Sequence, residues 1–246
     1  MILQENPIVV GDHLIFQDKI PRFGKGNAKL YRNVATFTLP AGVTCPGALE
    51  CKACADCTTG KIKDGAKQVF RCYAAGCEAR FTSLRRRIWH NYSCLFDSEG
   101  NIKSTDEMSD LLCDAISNDD IVADCNAIRI HIGGDFFCQS YFDAWLEVAR
   151  QHPELLFYAY TKSLPFWINR LDVIPDNMIL TASIGGKWDS LINVYELKKC
   201  KVFRTEALAV KAGYPVEPKF EPDSFAMHAE PHQFGLVLHG GGITRK

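Results

Sequence analysis

Strand patterns and helical patterns alternate along most of this chain, and this alternation limits the fold more than any other feature. Six segments are rich in β-branched and aromatic residues, and most segments between them show helical spacing over about 7–13 residues. Strands separated by helices form right-handed βαβ units, so the sequence predicts an α/β fold with a parallel sheet. Six strands are too few for an eight-stranded barrel and fit an open sheet or a partial barrel. The predicted strands are residues 34–39, 127–132, 155–160, 178–183, 201–204 and 234–239.

The segments between the strands contain predicted helices. Residues 78–96 carry apolar side chains at helical spacing, and Ser104 begins a second helix whose apolar stripe ends at Ile116. Residues 214–232 contain four prolines and are predicted to form a loop. The remaining predicted helices are residues 139–151, 165–171, 188–197 and 206–212.

Length and composition set the outer limits. The chain has 246 residues, of which 47% are hydrophobic and 23% charged, values that exclude a disordered or fibrous chain. Residues 1–33 are predicted to form an irregular segment with a short strand at 13–17, and residues 34–246 to form a single domain. No apolar run approaches the roughly 20 residues of a membrane helix, and no signal region follows the N-terminus. We therefore expect a soluble cytoplasmic protein without a membrane partner.

Cysteine is unusually frequent, with eleven residues and no export signal, which favours metal ligation or redox chemistry over a disulfide scaffold. Three of them form C-x2-C-x2-C, a spacing that lets a short turn direct successive thiolates at one centre. Bacterial ferredoxin loops begin with the same spacing, so an iron–sulfur cluster is predicted, with a fourth ligand from either side of this run. The candidate metal ligands are Cys45, Cys51, Cys54, Cys57 and Cys72.

Two other interpretations of these cysteines remain open. A tetrahedral zinc site could form from two pairs, Cys51 with Cys54 and Cys72 with Cys77. A disulfide is disfavoured in a reducing compartment. Five further cysteines are scattered singly, and a lone cysteine is usually a small buried hydrophobic residue. These are Cys94, Cys113, Cys125, Cys138 and Cys200.

Polar residues and glycines follow three of the predicted strands at their C-terminal ends, where ligands bind in parallel α/β folds. Asp135 ends a Gly-Gly-Asp turn and is interpreted either as a ligand-binding acid or as the cap of the next helix. Lys162 is interpreted either as a functional lysine or as a solvated one. The residues at these strand ends are Gly133, Gly134, Asp135, Thr161, Lys162, Ser163, Ser183, Gly185 and Gly186.

Together, TCPGALEC, FRCYAA, RIHIGGDFF and the following strand motifs resemble the radical S-adenosylmethionine (SAM) superfamily. Residues 25–204 are also similar to a family of bacteriophage proteins related to that fold. The superfamily resemblance implies a partial (βα)6 TIM-like barrel whose cysteine loop, here residues 45–77, follows the first strand and holds a [4Fe-4S] cluster.

The same resemblance implies cofactor-binding residues. Gly133, Gly134 and Asp135 would receive the methionine amino group of S-adenosylmethionine, and residues near Ser183 would approach its carboxylate or ribose. Two departures are visible. The superfamily has C-x3-C-x2-C where this chain has C-x5-C-x2-C-x2-C, and Asp135 stands where the superfamily has glutamate.

Charge is segregated along the chain. Residues 60–90 contain eight Lys or Arg and two acids, whereas residues 97–125 contain nine acids and one lysine. A basic segment beside the cysteines could contact the phosphates of a nucleotide or nucleic acid, with aromatic residues for stacking. Alternatively, the two segments pair with each other. The aromatic candidates are Tyr73, Phe81, Trp89 and Tyr92.

Three functions fit these observations. The first is a radical SAM-type enzyme acting on a nucleotide or nucleic-acid-related substrate, which requires an open iron and an electron donor. The second is a non-catalytic protein whose [4Fe-4S] cluster has four cysteine ligands and a structural or electron-transfer role. The third is a zinc-stabilised nucleic-acid-binding module. If the protein is viral, its expected location is the cytoplasm of the host.

Overall fold

The computed structural model describes residues 18–26, 30, 33–218 and 223–238. Its main feature is a sheet of seven strands, of which the last six are parallel and lie side by side in chain order. The first strand pairs antiparallel with the second. A separate two-stranded hairpin lies within the cysteine loop. The strands of the main sheet are β1 (Gly24–Lys25), β2 (Val34–Phe37), β5 (Ala127–Ile130), β6 (Leu156–Thr161), β7 (Met178–Ser183), β8 (Lys199–Phe203) and β9 (Gln233–Val237), and the hairpin is β3 (Ala53–Ala55) with β4 (Ile62–Asp64).

The prediction of an α/β fold with a mostly parallel sheet is confirmed, and all six predicted strands are present. The strand count was incomplete, because β1 and the hairpin are too short to show an alternating pattern. Within the part of the chain that the structure describes, the outermost strands β1 and β9 do not pair, so no closed barrel is seen. The strand predicted at residues 13–17 lies outside the described residues.

Helices connect the parallel strands. None of the described helices has the length and apolar composition needed to cross a membrane. The described helices are α1 (Tyr73–Arg80), α2 (Thr82–Cys94), α3 (Thr105–Ser117), α4 (Asp120–Ala123), α5 (Gln139–Gln151), α6 (Leu164–Ile168), α7 (Ser190–Val194), α8 (Glu206–Lys211) and α9 (Ser224–Met227), and a 3-10 turn lies at Leu171–Val173.

The two faces of the sheet are buried against different layers, because successive strand side chains point to opposite sides. On one face, Phe37 and Phe157 pack edge-on or tilted against Trp145 of α5, in the larger apolar core. On the other face, Tyr158 packs with Ala226 of α9 in a smaller core. Helices α3 and α5 therefore cover one face, and α9 lies on the other.

A buried carboxylate fixes α9 to the sheet. Asp223, the N-cap residue of α9, accepts hydrogen bonds from Arg129 of β5 (2.6 Å) and from the phenols of Tyr158 (2.9 Å) and Tyr160 (3.1 Å) of β6. The prediction of an uninterrupted loop over residues 214–232 is wrong at α9. A four-residue helix is too short for hydrophobic periodicity to reveal it.

The predicted helix over residues 78–96 is two helices. It begins earlier, at Tyr73, and breaks at Phe81, whose backbone is extended (φ −111°, ψ 100°). The apolar spacing continues across this break, so periodicity alone could not locate it. By contrast, Ser104 and Glu107 form the capping box at the start of α3, and α5 has the predicted bounds.

Candidate functional site

The cysteine loop lies across the C-terminal ends of the parallel strands. Ala48 forms an antiparallel bridge with Gly186, which follows β7. The amide of Glu50 donates to the carbonyl of Gly185 (3.0 Å), and the amide of Lys187 donates to the carbonyl of Gly47 (2.9 Å). The loop that follows the first parallel strand is therefore hydrogen-bonded to the end of the fourth.

Glycines permit this close docking. A Cβ atom on Gly47 would overlap the backbone carbonyl of Lys162, at the end of β6. A Cβ atom on Gly133, after β5, would lie 2.7 Å from the Cβ of Ala74 in α1. Any larger residue at either position would have to displace the backbone or its neighbour. The loop and α1 therefore press directly on the turns that end β5 and β6.

Three of the predicted ligands, Cys45, Cys51 and Cys72, come together at this edge and influence one another's ionisation. Burial raises the pKa of the Cys45 thiol well above its ordinary value, and the charges of Asp135, Cys72 and Cys51 raise this pKa further. Burial raises the pKa of Cys72 to about 11, with Cys51 as the next contributor. Burial also raises the pKa of Cys51, which the nearby Lys162 opposes. The three thiols therefore share one electrostatic environment.

The other cysteines of the loop have separate neighbours. The Sγ atom of Cys54 lies 3.9 Å from the carbonyl oxygen of Lys63, across the β3–β4 hairpin. Cys57 contacts the hydroxyl of Thr58 at 3.7 Å. The thiol of Cys77 is hydrogen-bonded to the phenol of Tyr73, which raises the pKa of that phenol. All six loop cysteines are free thiols of intermediate burial.

The donors are not arranged around a point. Among residues 18–26, 30, 33–218 and 223–238, no three His, Cys, Asp or Glu side chains stand together closely enough to hold one metal ion. Gly42 nevertheless lies close to two of the predicted ligands. The amide of Gly42 donates to the Sγ of Cys45 (3.3 Å), and a Cβ atom on Gly42 would lie 2.9 Å from the Cβ of Cys54.

Asp135 is buried behind the loop, and its carboxylate is already bonded within the fold. It accepts hydrogen bonds from the hydroxyl of Thr161 (2.6 Å) and from the amides of Phe136 and Lys162 (both 2.8 Å). Burial outweighs these bonds and raises the pKa of Asp135 to about 6. Asp135 does not cap the next helix, because Cys138 is the N-cap residue of α5, so that interpretation is wrong.

Lys162 is buried, and its ammonium joins two strand ends. Its Nζ donates to the carbonyl (2.6 Å) and hydroxyl (2.7 Å) of Ser183 and to the carbonyl of Ile184 (2.9 Å). The interpretation of Lys162 as a solvated surface lysine is therefore wrong, since all three ammonium protons have acceptors. The predicted cofactor residue Ser183 thus lies beside Lys162 and receives a hydrogen bond from it.

The Gly-Gly turn after β5 is bonded to the first parallel strand. The carbonyl of Gly133 accepts a hydrogen bond from the amide of Leu39 (3.0 Å). Gly134 has a φ of 83°, which favours glycine, and a Cβ atom there would crowd the Thr44 hydroxyl and Leu39. At the strand ends, the backbone of this turn therefore lies next to the cysteine loop and to Lys162.

Comparison with known proteins places the chain in a family. Residues 19–245 match the profile of the family described as Gene product 88. The chain belongs to the Gene product 88 family. Two curated relatives, each called Gene 88 protein, come from Mycobacterium phages L5 and D29, with 33% identity over 97 residues and 31% identity over 91 residues. The matched stretch spans 37% of this chain and 38% of each relative. No solved structure matches.

Two buried charged residues support the loop of this Gene product 88 protein and were not singled out from the sequence. The Oε1 atom of Glu78 accepts a hydrogen bond from the amide of Ala41 (2.7 Å), while its Oε2 has no hydrogen-bond partner among the described residues. Arg85 donates to the carbonyls of Cys57 (3.0 Å) and Glu78 (2.6 Å). In the sequence both residues belong to a charged segment, and nothing in that segment marks them as buried.

The basic segment remains exposed around the cysteine loop. Of its eight cations, Arg85 is buried and Arg71 is paired with Asp64 at 2.6 Å. Four others form no salt bridge with the acidic segment in the described part of the chain, so the predicted pairing of the two segments is wrong for them. These four are Lys61, Lys63, Lys67 and Arg80, all exposed.

Proposed function

We propose that this protein holds a [4Fe-4S] cluster on the loop at residues 45–77 and uses it in radical SAM-type chemistry. The observation that carries the proposal is the docking of the cysteine loop across the C-terminal ends of a sequentially ordered parallel sheet, with Cys45, Cys51 and Cys72 near enough there to affect one another's pKa values. That strand order is the one expected of a partial (βα)6 TIM-like barrel, and the carboxyl ends of such strands are where ligands bind.

We propose a cluster in preference to a single ion on the C-x2-C-x2-C spacing and the resemblance. In a cluster each thiolate binds a different iron, so the sulfurs stand farther apart than around one zinc ion. The three thiols influence one another through their charges, yet they do not surround one point. Three cysteine ligands leave one iron without a protein thiol, as the radical SAM resemblance requires. When bound, such a cluster supplies one-electron transfer.

The residues around the cluster would then position S-adenosylmethionine. A carboxylate has about four acceptor positions, and three of those on Asp135 are filled, so Asp135 has room for one further donor such as an amino group. The hydroxyl of Ser183 accepts a hydrogen bond from Lys162 and lies at the same edge, where it would approach the carboxylate or ribose. Gly133 and Gly134 contribute backbone at the same edge.

A second candidate is a closed cluster with a fourth cysteine ligand and an electron-transfer or structural role. The amide of Gly42, which donates to the Cys45 thiol, belongs to a turn that packs against Ala53 and Cys54, so Cys54 is the candidate for the fourth ligand. Such a cluster has no open iron and would bind no S-adenosylmethionine.

Anaerobic purification with iron, sulfide and zinc analysis tests the proposal. We expect about four irons per chain and a reduced-state spectrum that changes when S-adenosylmethionine is added. Serine at Cys45, Cys51 or Cys72 should abolish iron binding, whereas serine at Cys113, on α3, should not. Iron loss on replacing Cys54, with a spectrum indifferent to S-adenosylmethionine, would establish the closed cluster instead. One zinc and no iron would refute both.

We further propose that the substrate is a nucleotide or a nucleic acid. The exposed cations Lys61, Lys63 and Lys67 of the cysteine loop, with Arg80 of α1, have no salt-bridge partners in the described chain, and phosphates attract such groups. A radical SAM-type reaction also needs an external electron donor. A chemical reductant such as dithionite can replace that donor. If activity is still absent with dithionite, the cause is not the lack of an electron donor.

A further inference from the structure

The outward face of α1 carries an exposed aromatic residue directly beside the candidate cluster. Tyr73, the residue after Cys72, is 51% exposed, and Arg80 is exposed two turns later. Between them, a Cβ atom on Gly76 would meet no atom within 4 Å. The buried residues of α1, which include Ala75 and Glu78, lie on the opposite side. The outward face of this helix is therefore open along its length.

A second exposed ring lies at the end of the same helix. Phe81, at the break between α1 and α2, is 50% exposed, and the guanidinium of Arg80 lies 5.9 Å from the centre of its ring. The hydrogen bond between the Tyr73 phenol and the Cys77 thiol helps to fix the first ring. Phe81 follows Tyr73 by eight positions, a rise of about 12 Å along an ideal helix axis.

The charge around these rings is positive. The β3–β4 hairpin packs against α1 and presents Lys61 and Lys63 to solvent, and Lys67 follows in the next turn. None of the three forms a salt bridge among the residues that the structure describes. Exposed rings and cations without salt bridges suit the binding of a nucleic acid, whose phosphates are negatively charged and whose bases can stack on the rings.

We propose that this surface binds a single-stranded nucleic acid. Tyr73 and Phe81 would each stack on a base, and Arg80, Lys63 and Lys67 would contact phosphates. Duplex bases are stacked within the helix and offer no free faces to such rings. The inference rests on the proposed function, since Cys72 immediately precedes Tyr73 and would bring the strand to the cluster.

Fluorescence anisotropy with labelled twelve-nucleotide dT and U oligomers, and with a duplex of the same length, tests the proposal. The full chain is purified anaerobically, and its iron content and thermal melting are measured for every variant. Tyr73→Leu and Phe81→Leu remove a ring and keep an apolar side chain. Tyr195→Leu, at a ring 43% exposed after α7, is the matched control. Arg80→Gln is compared with Lys211→Gln, at an exposed cation of α8.

We expect each ring variant to weaken single-strand binding about fivefold or more at unchanged iron content, with Tyr195→Leu unchanged. Arg80→Gln should lower the slope of log affinity against log salt by about 0.7, and Lys211→Gln should not. Tighter binding of U than of dT would assign the ligand to RNA, and the reverse to DNA. Preference for the duplex, equal losses in the controls, or no binding at about 100 µM protein in low salt would overturn the proposal.

Iron content separates this proposal from the one on which it rests. Iron-loaded protein that binds no oligomer would refute the nucleic-acid surface and leave the cluster proposal intact. Iron-free protein that binds through Tyr73 and Phe81 would refute the cluster and support the surface. Because the substituted side chains are exposed, their loss should leave the fold unchanged, and the melting curves check this point.

Discussion

Replacing Glu78 by glutamine is expected to flatten the dependence of stability on pH between about pH 5 and pH 8. The Glu78 carboxyl is fully buried, and burial raises its pKa from 4.5 to about 8. The folded protein therefore holds this proton more tightly than the unfolded chain does. The stabilising contribution is complete below about pH 4.5 and is lost as the pH rises through 8.

The size of the effect follows from the two pKa values. Between about pH 5 and pH 8, a shift from 4.5 to about 8 removes about 3 kcal/mol from the free energy of unfolding. Glutamine keeps an oxygen that can accept from the Ala41 amide, and it carries no charge at any pH. Its amide nitrogen would replace the unpartnered Oε2, at a cost of about 1 kcal/mol that does not depend on pH.

The two stability curves should therefore cross. We expect the variant to be less stable than the parent by about 1 kcal/mol near pH 5 and more stable by about 2 kcal/mol near pH 8. Urea unfolding at several pH values, on protein of equal metal content, measures the difference. Glu99→Gln, at an exposed acid before α3, is the control and should run parallel to the parent. Parallel curves for Glu78→Gln would refute the argument, since they would mean that Glu78 ionises normally in the fold.

Three further substitutions test the docking of the loop. Asp135→Asn should lower the free energy of unfolding by about 1–3 kcal/mol, because the new amide group must face the backbone N–H of either Phe136 or Lys162. Urea unfolding measures this change, and an unchanged midpoint would contradict it. Gly47→Ala should reduce iron incorporation, because its Cβ overlaps the Lys162 carbonyl; full iron content by metal analysis would speak against the docked loop. Gly76→Ala, in open space within α1, should raise stability by about 0.5–1 kcal/mol in the same urea assay, and a loss would show that the position is crowded.

The sequence predicts the elements whose signal is local. Ser104 and Glu107 reveal the start of α3 because a capping box needs only residues three apart. The predicted strand at residues 127–132 is two residues too long, since β5 ends at Ile130. His131 takes a φ of 66°, and its amide and that of Ile132 both donate to the carbonyl of Phe37. The apolar alternation continues through this turn and conceals it.

The site is harder to predict, because backbone contacts assemble it. The cysteine spacing favours Cys54, which is in the C-x2-C-x2-C run, over Cys72, yet Cys72 shares the environment of Cys45 while Cys54 lies on the hairpin. That difference arises from the docking of Gly47 and Glu50 against strand ends more than a hundred residues away. Backbone contacts of this kind leave no pattern of side chains in the sequence, so they can be identified only from the folded structure.

The chain order of the sheet has a consequence for biosynthesis. Cys72 leaves the ribosome 114 residues before Gly186. The bridge between Gly186 and Ala48 holds the cysteine loop against the sheet. At about 5–20 residues per second, translation of that interval takes on the order of ten seconds. During this time the nascent thiols have no surface on which to assemble. If the loop holds the proposed cluster, metal can reach the docked loop only after β7 has been synthesised.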